Sequence, residues 1–240
     1  MSESHDGRRR ALLAFDTSTS RCIVATATPA GTLDGSTMWP AGYRHGETLL
    51  PTIGRFLSEQ NIRRSRLAGI IVGTGPGAFT GLRVGLATAK TLAASMRLPL
   101  VGVSTAEALL DAAGAAAAAD AGDRTAPIGP FVLLLPAGPS DRLVIRHGEP
   151  ARLVPGGSDP DIAPGETLVA LDLPERAPVD ALVRGEAAFS RLAAALGGLG
   201  AERLARNDVD DPARLVPEYV TLPRGVTALE GEVSWSRDPR

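Results

Sequence analysis

The sequence has little of several residue types that mark particular protein classes. Its 240 residues include one cysteine, Cys22, which excludes an internal disulfide framework and any metal site built from several cysteines. Aromatic residues make up only 4% of the chain, so aliphatic side chains and alanine must form the core. The net charge of −2 is close to zero, which argues against a protein that coats nucleic acid.

Long apolar runs are also missing. No stretch approaches the roughly 20 apolar residues of a membrane span. The short apolar run that follows the arginines at 8–10 lacks the length and the cleavage site of a secretory signal. We therefore expect a cytoplasmic protein with no membrane partner. A chain of this length predicts one large domain or two small ones.

Strand patterns precede helix patterns in both halves of the chain, which predicts two α/β lobes. The helix patterns begin near Glu47 or Thr48, with Pro51 in the first turn, and at 82–96, 104 and 179–196. An extended stretch at 215–222 closes the second half. Predicted strands lie at 11–15, 22–28, 32–39, 67–72, 100–103, 131–135, 143–146 and 167–171. A Gly/Pro-rich loop is predicted at 149–165.

Two loops are candidates for binding an anion. The first, Asp-Thr-Ser-Thr-Ser at 16–20, offers a carboxylate and hydroxyl groups after a buried strand, but such residues also form ordinary turns. The second, at 73–81, is rich in glycine and leads into a helix whose free amides favour negative charge. It matches neither a Walker loop nor a dinucleotide fingerprint, so a structural turn is the competing interpretation. The candidate residues are Asp16, Thr17, Ser18, Gly75, Gly77 and Thr80.

No catalytic motif is present. His5, His45 and His147 form no paired-histidine motif, which argues against a zinc or iron site and predicts no metal. Ser104 lacks the glycines of a nucleophile elbow and is better explained as a helix cap. The arginine groups at 8–10 and 63–66 could contact RNA phosphates, although such groups are more often solvated surface.

The motifs together resemble one family. In order they are Asp-Thr-Ser-Thr-Ser at 16–20, Arg44-His45 before a helix, Gly-Pro-Gly-Ala-Phe-Thr-Gly-Leu-Arg-Val-Gly at 75–85, Ala89-Lys90, and Gly-Val-Ser-Thr at 102–105. This arrangement resembles the bacterial TsaB (YeaZ) family over roughly residues 10–110. These proteins help to make threonylcarbamoyladenosine, the modified adenosine beside the anticodon of tRNAs that read codons beginning with A.

The resemblance implies a two-lobed α/β fold of the acetate-kinase/Hsp70/actin (ASKHA) type, with mixed sheets flanked by helices. On this basis residues 10–104 form the first lobe and 105–224 a divergent second lobe, between a flexible tail at 1–9 and a polar tail at 225–240. It also implies a non-catalytic scaffold that binds the catalytic TsaD-type subunit. A TsaE-type ATPase joins that complex, and tRNA is contacted indirectly. The chain needs no cofactor of its own, and ATP enters at the level of the complex.

The resemblance further implies that the helices at 47–57 and 82–96 form the partner interface. A stripe of small residues, Gly81, Gly85 and Ala89, would allow a second subunit to approach closely, so a bulky residue at Gly85 should weaken association and leave the fold intact. Alone, the same face should form a homodimer. The predicted interface residues are Leu49, Leu50, Ile53, Phe56, Leu57, Gly81, Leu82, Gly85, Ala89 and Leu92.

The second half departs from the family pattern, and this leaves alternatives open. Pro136 and Gly138 stand where many relatives have Asp and Arg, and Thr221 replaces the arginine of a Pro-x-Tyr-Leu-Arg motif. An ASKHA-fold small-molecule kinase or nucleotide-binding protein is the main alternative, although only the loop at 16–20 fits its phosphate sites. The sequence argues against a peptidase, because neither a zinc motif nor a triad spacing is present.

Overall fold

The computed structural model describes residues 10–40, 45–121 and 130–220, so the predicted tails at 1–9 and 225–240, Arg44 and most of the loop at 120–130 lie outside the described residues.

The first sheet has five strands in the order β3-β2-β1-β4-β5, with β1, β4 and β5 parallel and the β1–β2–β3 meander antiparallel. The strands are β1 (Ala11–Asp16), β2 (Arg21–Ala27), β3 (Leu33–Pro40), β4 (Leu67–Gly73) and β5 (Leu100–Val103).

Two helices, α1 (His45–Glu59) and α2 (Phe79–Met96), pack on one face of this sheet. Both begin two or three residues earlier than predicted. Pro51 therefore lies in the second turn of α1, not in the first as predicted. A proline there removes one helical hydrogen bond, but the buried face of α1, including Leu49, Ile53 and Phe56, holds the helix on the sheet.

The second sheet has four strands in the order β8-β7-β6-β9. These are β6 (Phe131–Pro136), β7 (Arg142–Arg146), β8 (Arg152–Val154) and β9 (Thr167–Ala170). The predicted β6–β7 hairpin is present, and β9 pairs with β6 in parallel. The short strand β8 lies within the stretch predicted as a loop. The sequence does not predict it, because its three residues, two of them exposed, show no strand periodicity.

Helix α4 (Val179–Ala205) contacts strands of both sheets, and helix α3 (Thr105–Ala121) packs against α4 and β6. One continuous group of buried side chains joins both helices to residues of both sheets, among them Ile71 and Leu133. Helix α4 continues past the predicted end at Leu196 through several glycines. Packing explains this, since a β-carbon at Gly200 would lie 2.5 Å from Ile71 Cδ1, so glycine lets the helix approach the first sheet.

The segment after α4 returns to the first sheet. The Asp210 amide donates to the Leu100 carbonyl at 2.8 Å, and the Gly102 amide donates to Asp210 Oδ2 at 2.7 Å. Leu215 packs against the side chains beneath α1 and α2. The sequence places the stretch from 215 in the second lobe, and its described part, up to residue 220, contacts β5 and the glycine-rich loop as well as the group of buried side chains shared by both sheets. The division at 104/105 stays a prediction.

Among the described helices none has the length and apolar character required to cross a bilayer.

Candidate functional site

The carboxylate of Asp16, at the end of β1, is enclosed by hydroxyl and amide donors. Its Oδ1 accepts hydrogen bonds from the Ser18 amide and the Ser18 hydroxyl, both at 2.8 Å. Its Oδ2 accepts one from Thr105 Oγ1 at 2.5 Å. The side chain is buried, and burial raises the pKa of Asp16, although the Thr105 and Ser18 hydrogen bonds act in the opposite direction. Both oxygens are therefore used inside the chain.

The glycine-rich loop packs directly onto the loop at 16–20. A β-carbon at Gly77 would lie 2.1 Å from the Ser18 carbonyl oxygen, and one at Gly73 would lie 1.6 Å from Asp16 Oδ2. The Ala78 amide donates to that Ser18 carbonyl at 2.6 Å. These positions require glycine because another backbone or a carboxylate occupies the space where a side chain would be.

The predicted anion-binding residues are thus brought together, but most of their hydrogen bonds are made to groups within the chain itself. Thr17 Oγ1 donates to the Gly81 carbonyl at 2.7 Å, and the Gly75 amide donates to Thr105 Oγ1 at 3.1 Å. Asp16, Thr17, Ser18 and Gly75 are buried, whereas Gly77 and Thr80 are exposed. This geometry is that of a structural junction between β1, the glycine-rich loop and α3. Its phosphate-binding role stays a prediction.

Sequence reasoning missed two residues of this junction. The sequence places Thr105 in the family motif at 102–105 and at the start of a helix, but not beside Asp16, because their bond spans 89 positions. Glu218 was noted only within a family motif. Its amide donates to the Thr74 carbonyl at 2.8 Å, and its carboxylate accepts from Ser104 Oγ at 2.9 Å and from the Thr74 hydroxyl. No local spacing could have linked these groups.

A cleft of about 300 Å³ opens beside Glu218. Pro76, Ser104 and Ile145 are among its walls, and Glu107, Glu149 and Glu218 line it with carboxylates. At its edge the ring of Tyr219 lies 5.1 Å from that of Phe79, centre to centre. The acidic lining makes this cleft electrostatically unfavourable for phosphate groups.

Most of the predicted interface residues are buried within the chain. Leu49, Ile53, Phe56, Leu57, Gly81, Leu82, Gly85 and Ala89 are all buried. Leu50 is 54% exposed, and Leu92 is partly exposed. The physical reason proposed for the small-residue stripe is wrong. A β-carbon at Gly85 would lie 2.3 Å from Thr17 Oγ1, so the stripe lets α2 approach the chain's own loop at 16–20.

The exposed positions of the same two helices form a different set. On α2, Val84, Ala87, Thr88 and Thr91 are exposed or partly exposed and recur at the three- and four-residue spacing of one helix face. On α1, Gly46 lies near Val84, and Leu50 is one turn further along. This surface, which we call the α1–α2 outer face, consists of small or apolar side chains and is bordered by Glu47, Arg83 and Lys90.

The described residues contain no group of three or more histidine, cysteine, aspartate or glutamate side chains placed to hold a metal ion. His147 does lie between two carboxylates, but on opposite sides of its ring. Nε2 is 2.8 Å from Asp111 Oδ1, and Nδ1 contacts the Glu107 carboxylate. Each nitrogen has its own partner, as in an ion pair that links α3 to the turn after β7.

Comparison with known proteins identifies relatives over most of the chain. Residues 40–173 match the family model described as TsaD, tRNA N6-adenosine threonylcarbamoyltransferase. A protein named tRNA threonylcarbamoyladenosine biosynthesis protein TsaB, from Escherichia coli, is 33% identical over 94 residues, which cover 39% of this chain and 40% of the relative. An uncharacterised Mycobacterium tuberculosis protein is 30% identical over 181 residues, covering 75% of this chain and 76% of its own length.

Among solved structures, YeaZ from Pseudomonas aeruginosa superposes with a TM-score of 0.61 and 25% identity. The match covers 88% of this chain and 100% of that one. The arrangement of mixed sheets flanked by helices is therefore the two-lobed α/β fold expected from the sequence.

Proposed function

Because this chain belongs to the TsaB (YeaZ) family, within the group matched by the TsaD model, we propose that it is a non-catalytic scaffold for tRNA threonylcarbamoylation. Its role is to bind the catalytic TsaD-type subunit and to hold it in an active assembly. That subunit transfers the threonylcarbamoyl group to the adenosine beside the anticodon. A TsaE-type ATPase joins this assembly. This chain contacts tRNA indirectly, through the assembly, and ATP is used by the assembly.

The α1–α2 outer face carries this proposal. Leu50 is 54% exposed although it is apolar, and α2 presents Ala87 and Thr88 with no charged side chain between Arg83 and Lys90. Small side chains let two helices from different subunits pack closely, and an exposed leucine on the same face provides apolar area to bury. The face also suits a homodimer when the catalytic subunit is absent.

The main alternative, a kinase or nucleotide-binding protein of the same fold, finds less support in the same geometry. Such a protein needs a carboxylate that reaches metal-bound phosphates. The Asp16 carboxylate is instead buried and accepts three hydrogen bonds from Ser18 and Thr105. The cleft beside Glu218 is lined by carboxylates, which repel phosphate.

Ala87→Arg tests the proposal. Ala87 is exposed, and arginine is nearly as good a helix former as alanine, so the variant should fold with an unchanged melting temperature. A charge buried at an interface without a partner is costly, so the affinity for the TsaD-type subunit should fall by about tenfold or more. Co-purification and analytical ultracentrifugation of the mixed subunits measure this.

Ala194→Arg is the matched control, because Ala194 is an exposed alanine on α4. It should leave association unchanged. Equal affinity for both variants would contradict the proposed face. If the isolated chain hydrolysed ATP or phosphorylated sugars, and lost that activity in Asp16→Asn, the kinase alternative would replace the scaffold.

A further inference from the structure

The parallel strands of the first sheet bring separate arginines to one edge. Strands β1, β4 and β5 are adjacent and parallel, so their first residues lie at the same edge. Arg10 directly precedes β1, and Arg66 directly precedes β4, whose first residue, Leu67, pairs with Ala11. Arg97 ends α2 just before β5, and the Ile70 amide donates to the intervening Pro99 carbonyl at 2.9 Å.

A short 3₁₀ helix, Arg64–Arg66, adds further positive charge to this edge. Arg63 caps it, and none of its residues is buried. Arg10, Arg63, Arg64 and Arg97 are exposed and Arg66 is partly exposed. We call this set the basic edge: Arg10, Arg63, Arg64, Arg66 and Arg97.

The guanidinium groups of the basic edge have no carboxylate partner among the described residues. Acidic side chains near this edge already have arginine partners elsewhere. Glu59 pairs with Arg55 at 3.8 Å, and Asp208 pairs with Arg203 at 2.7 Å. At the start of β5, where the Asp210 amide donates to the Leu100 carbonyl, Asp210 pairs with Arg203 at 3.2 Å and Asp211 pairs with Arg214 at 3.9 Å. Asp34, on β3, lies beyond β2 from β1.

Among the described residues, the basic edge therefore holds arginines without carboxylate partners in a chain whose net charge is only −2. The cleft beside Glu218 lies next to the glycine-rich loop, at the opposite ends of the same strands, and is lined by Glu107, Glu149 and Glu218. Several unpaired arginines on one edge repel one another and are stabilised by a polyanion.

We propose that the basic edge is a direct contact surface for the phosphate backbone of RNA. The choice of tRNA as that RNA rests on the proposed function. Arginine forks bind phosphate oxygens in pairs, and contacts spread along one edge suit a strand of phosphates better than a single small anion. Backbone contacts position an RNA without reading its sequence. The chain would then hold tRNA against the assembly as well as hold the catalytic subunit.

The test uses the full-length chain and a fluorescently labelled, unmodified tRNA transcript that reads a codon beginning with A. Fluorescence anisotropy gives the dissociation constant between about 50 and 200 mM salt. The variant Arg63→Gln/Arg64→Gln/Arg66→Gln should bind tRNA about tenfold or more weakly at about 100 mM salt. The slope of the logarithm of the affinity against the logarithm of the salt concentration should become shallower by roughly one phosphate contact per arginine removed.

The control variant Arg83→Gln/Arg152→Gln/Arg191→Gln removes the same charge from exposed positions elsewhere. It should bind tRNA like the original chain. Equal loss in both triple variants, or no loss in the first, would overturn the proposal. Weaker binding of the first variant to the TsaD-type subunit, with tRNA binding unchanged, would also overturn it and assign the basic edge to a protein partner.

These outcomes are separate from the test of the α1–α2 outer face. The anisotropy experiment needs no second subunit, and Ala87→Arg should not alter tRNA binding by the isolated chain. Both triple variants change exposed or partly exposed side chains, so their melting temperatures should match that of the original chain.

Discussion

Gly85 has no side chain, and this lets α2 pack closely against the loop at 16–20. A β-carbon at this position would lie 2.3 Å from Thr17 Oγ1, and that hydroxyl donates to the Gly81 carbonyl one turn earlier in α2. The same β-carbon would lie 3.6 Å from Thr17 Cβ and 3.9 Å from Thr17 Cγ2, which are ordinary van der Waals contacts. The conflict is therefore with a single oxygen atom.

We expect Gly85→Ala to lower the free energy of unfolding by about 1–3 kcal/mol, because the added methyl group displaces the Thr17 hydroxyl. In a Thr17→Ala background the same change should cost clearly less, since the conflicting oxygen is gone. Urea unfolding of the four chains in this double-mutant cycle measures the coupling. Additive costs would contradict the assignment of the stripe to the loop at 16–20.

At the scale of elements, His147 links the turn after β7 to α3 through its contacts with Asp111 and Glu107. The hydrogen bond to Asp111 raises the pKa of His147 above its ordinary value, partial burial opposes this, and the charge of Glu107 adds to it. A histidine whose folded-state pKa is raised stabilises the fold fully below its unfolded pKa of about 6.5. That contribution is lost as the pH rises through the folded-state pKa.

We therefore expect the stability difference between the original chain and His147→Gln to be larger at about pH 5.5 than at about pH 9. Urea denaturation of both chains across this range measures it. A difference that stayed constant with pH would indicate a neutral hydrogen bond to the histidine ring instead of an ion pair.

The elements themselves were largely predictable from local pattern. Short apolar runs identified β1, β4 and β6, and the spacing of Leu49, Ile53 and Phe56 identified α1. The end of α4 was not predictable, because the packing of Gly200 against Ile71 overrides the low helix propensity of glycine. At the site, Asp16 and Gly77 were found from sequence, whereas Thr105 and Glu218 required the fold to bring distant positions together.

At the scale of the whole molecule, the two sheets share one core. Helix α4 contacts strands of both sheets, and the group of buried side chains around it includes Leu12 and Val101 from the first sheet and Leu133 and Val169 from the second. Arg21 on β2 also forms a two-point ion pair with Glu186 on α4, at 2.7 and 2.9 Å. Neither half covers its own apolar surface alone.

We expect the described halves to unfold in one cooperative transition. The chain has two tryptophans, Trp39 and Trp235, so a Trp235→Phe variant reports the first sheet through Trp39 fluorescence. Far-UV circular dichroism in the same urea series reports mainly the helices, including α3 and α4. The two midpoints should coincide. A fluorescence transition separated from the dichroism transition would instead favour lobes that fold independently.

The position of α4 in the chain has a consequence for biosynthesis. The sheet that it covers begins at Ala11, but the covering residues, such as Leu192, Leu196 and Ala201, are translated long after the last strand of that sheet, which ends at Val103. The inner face of the first sheet therefore emerges from the ribosome before its covering helix exists. A nascent chain of this protein exposes that face to chaperones or to neighbouring chains until residue 205 has left the exit tunnel.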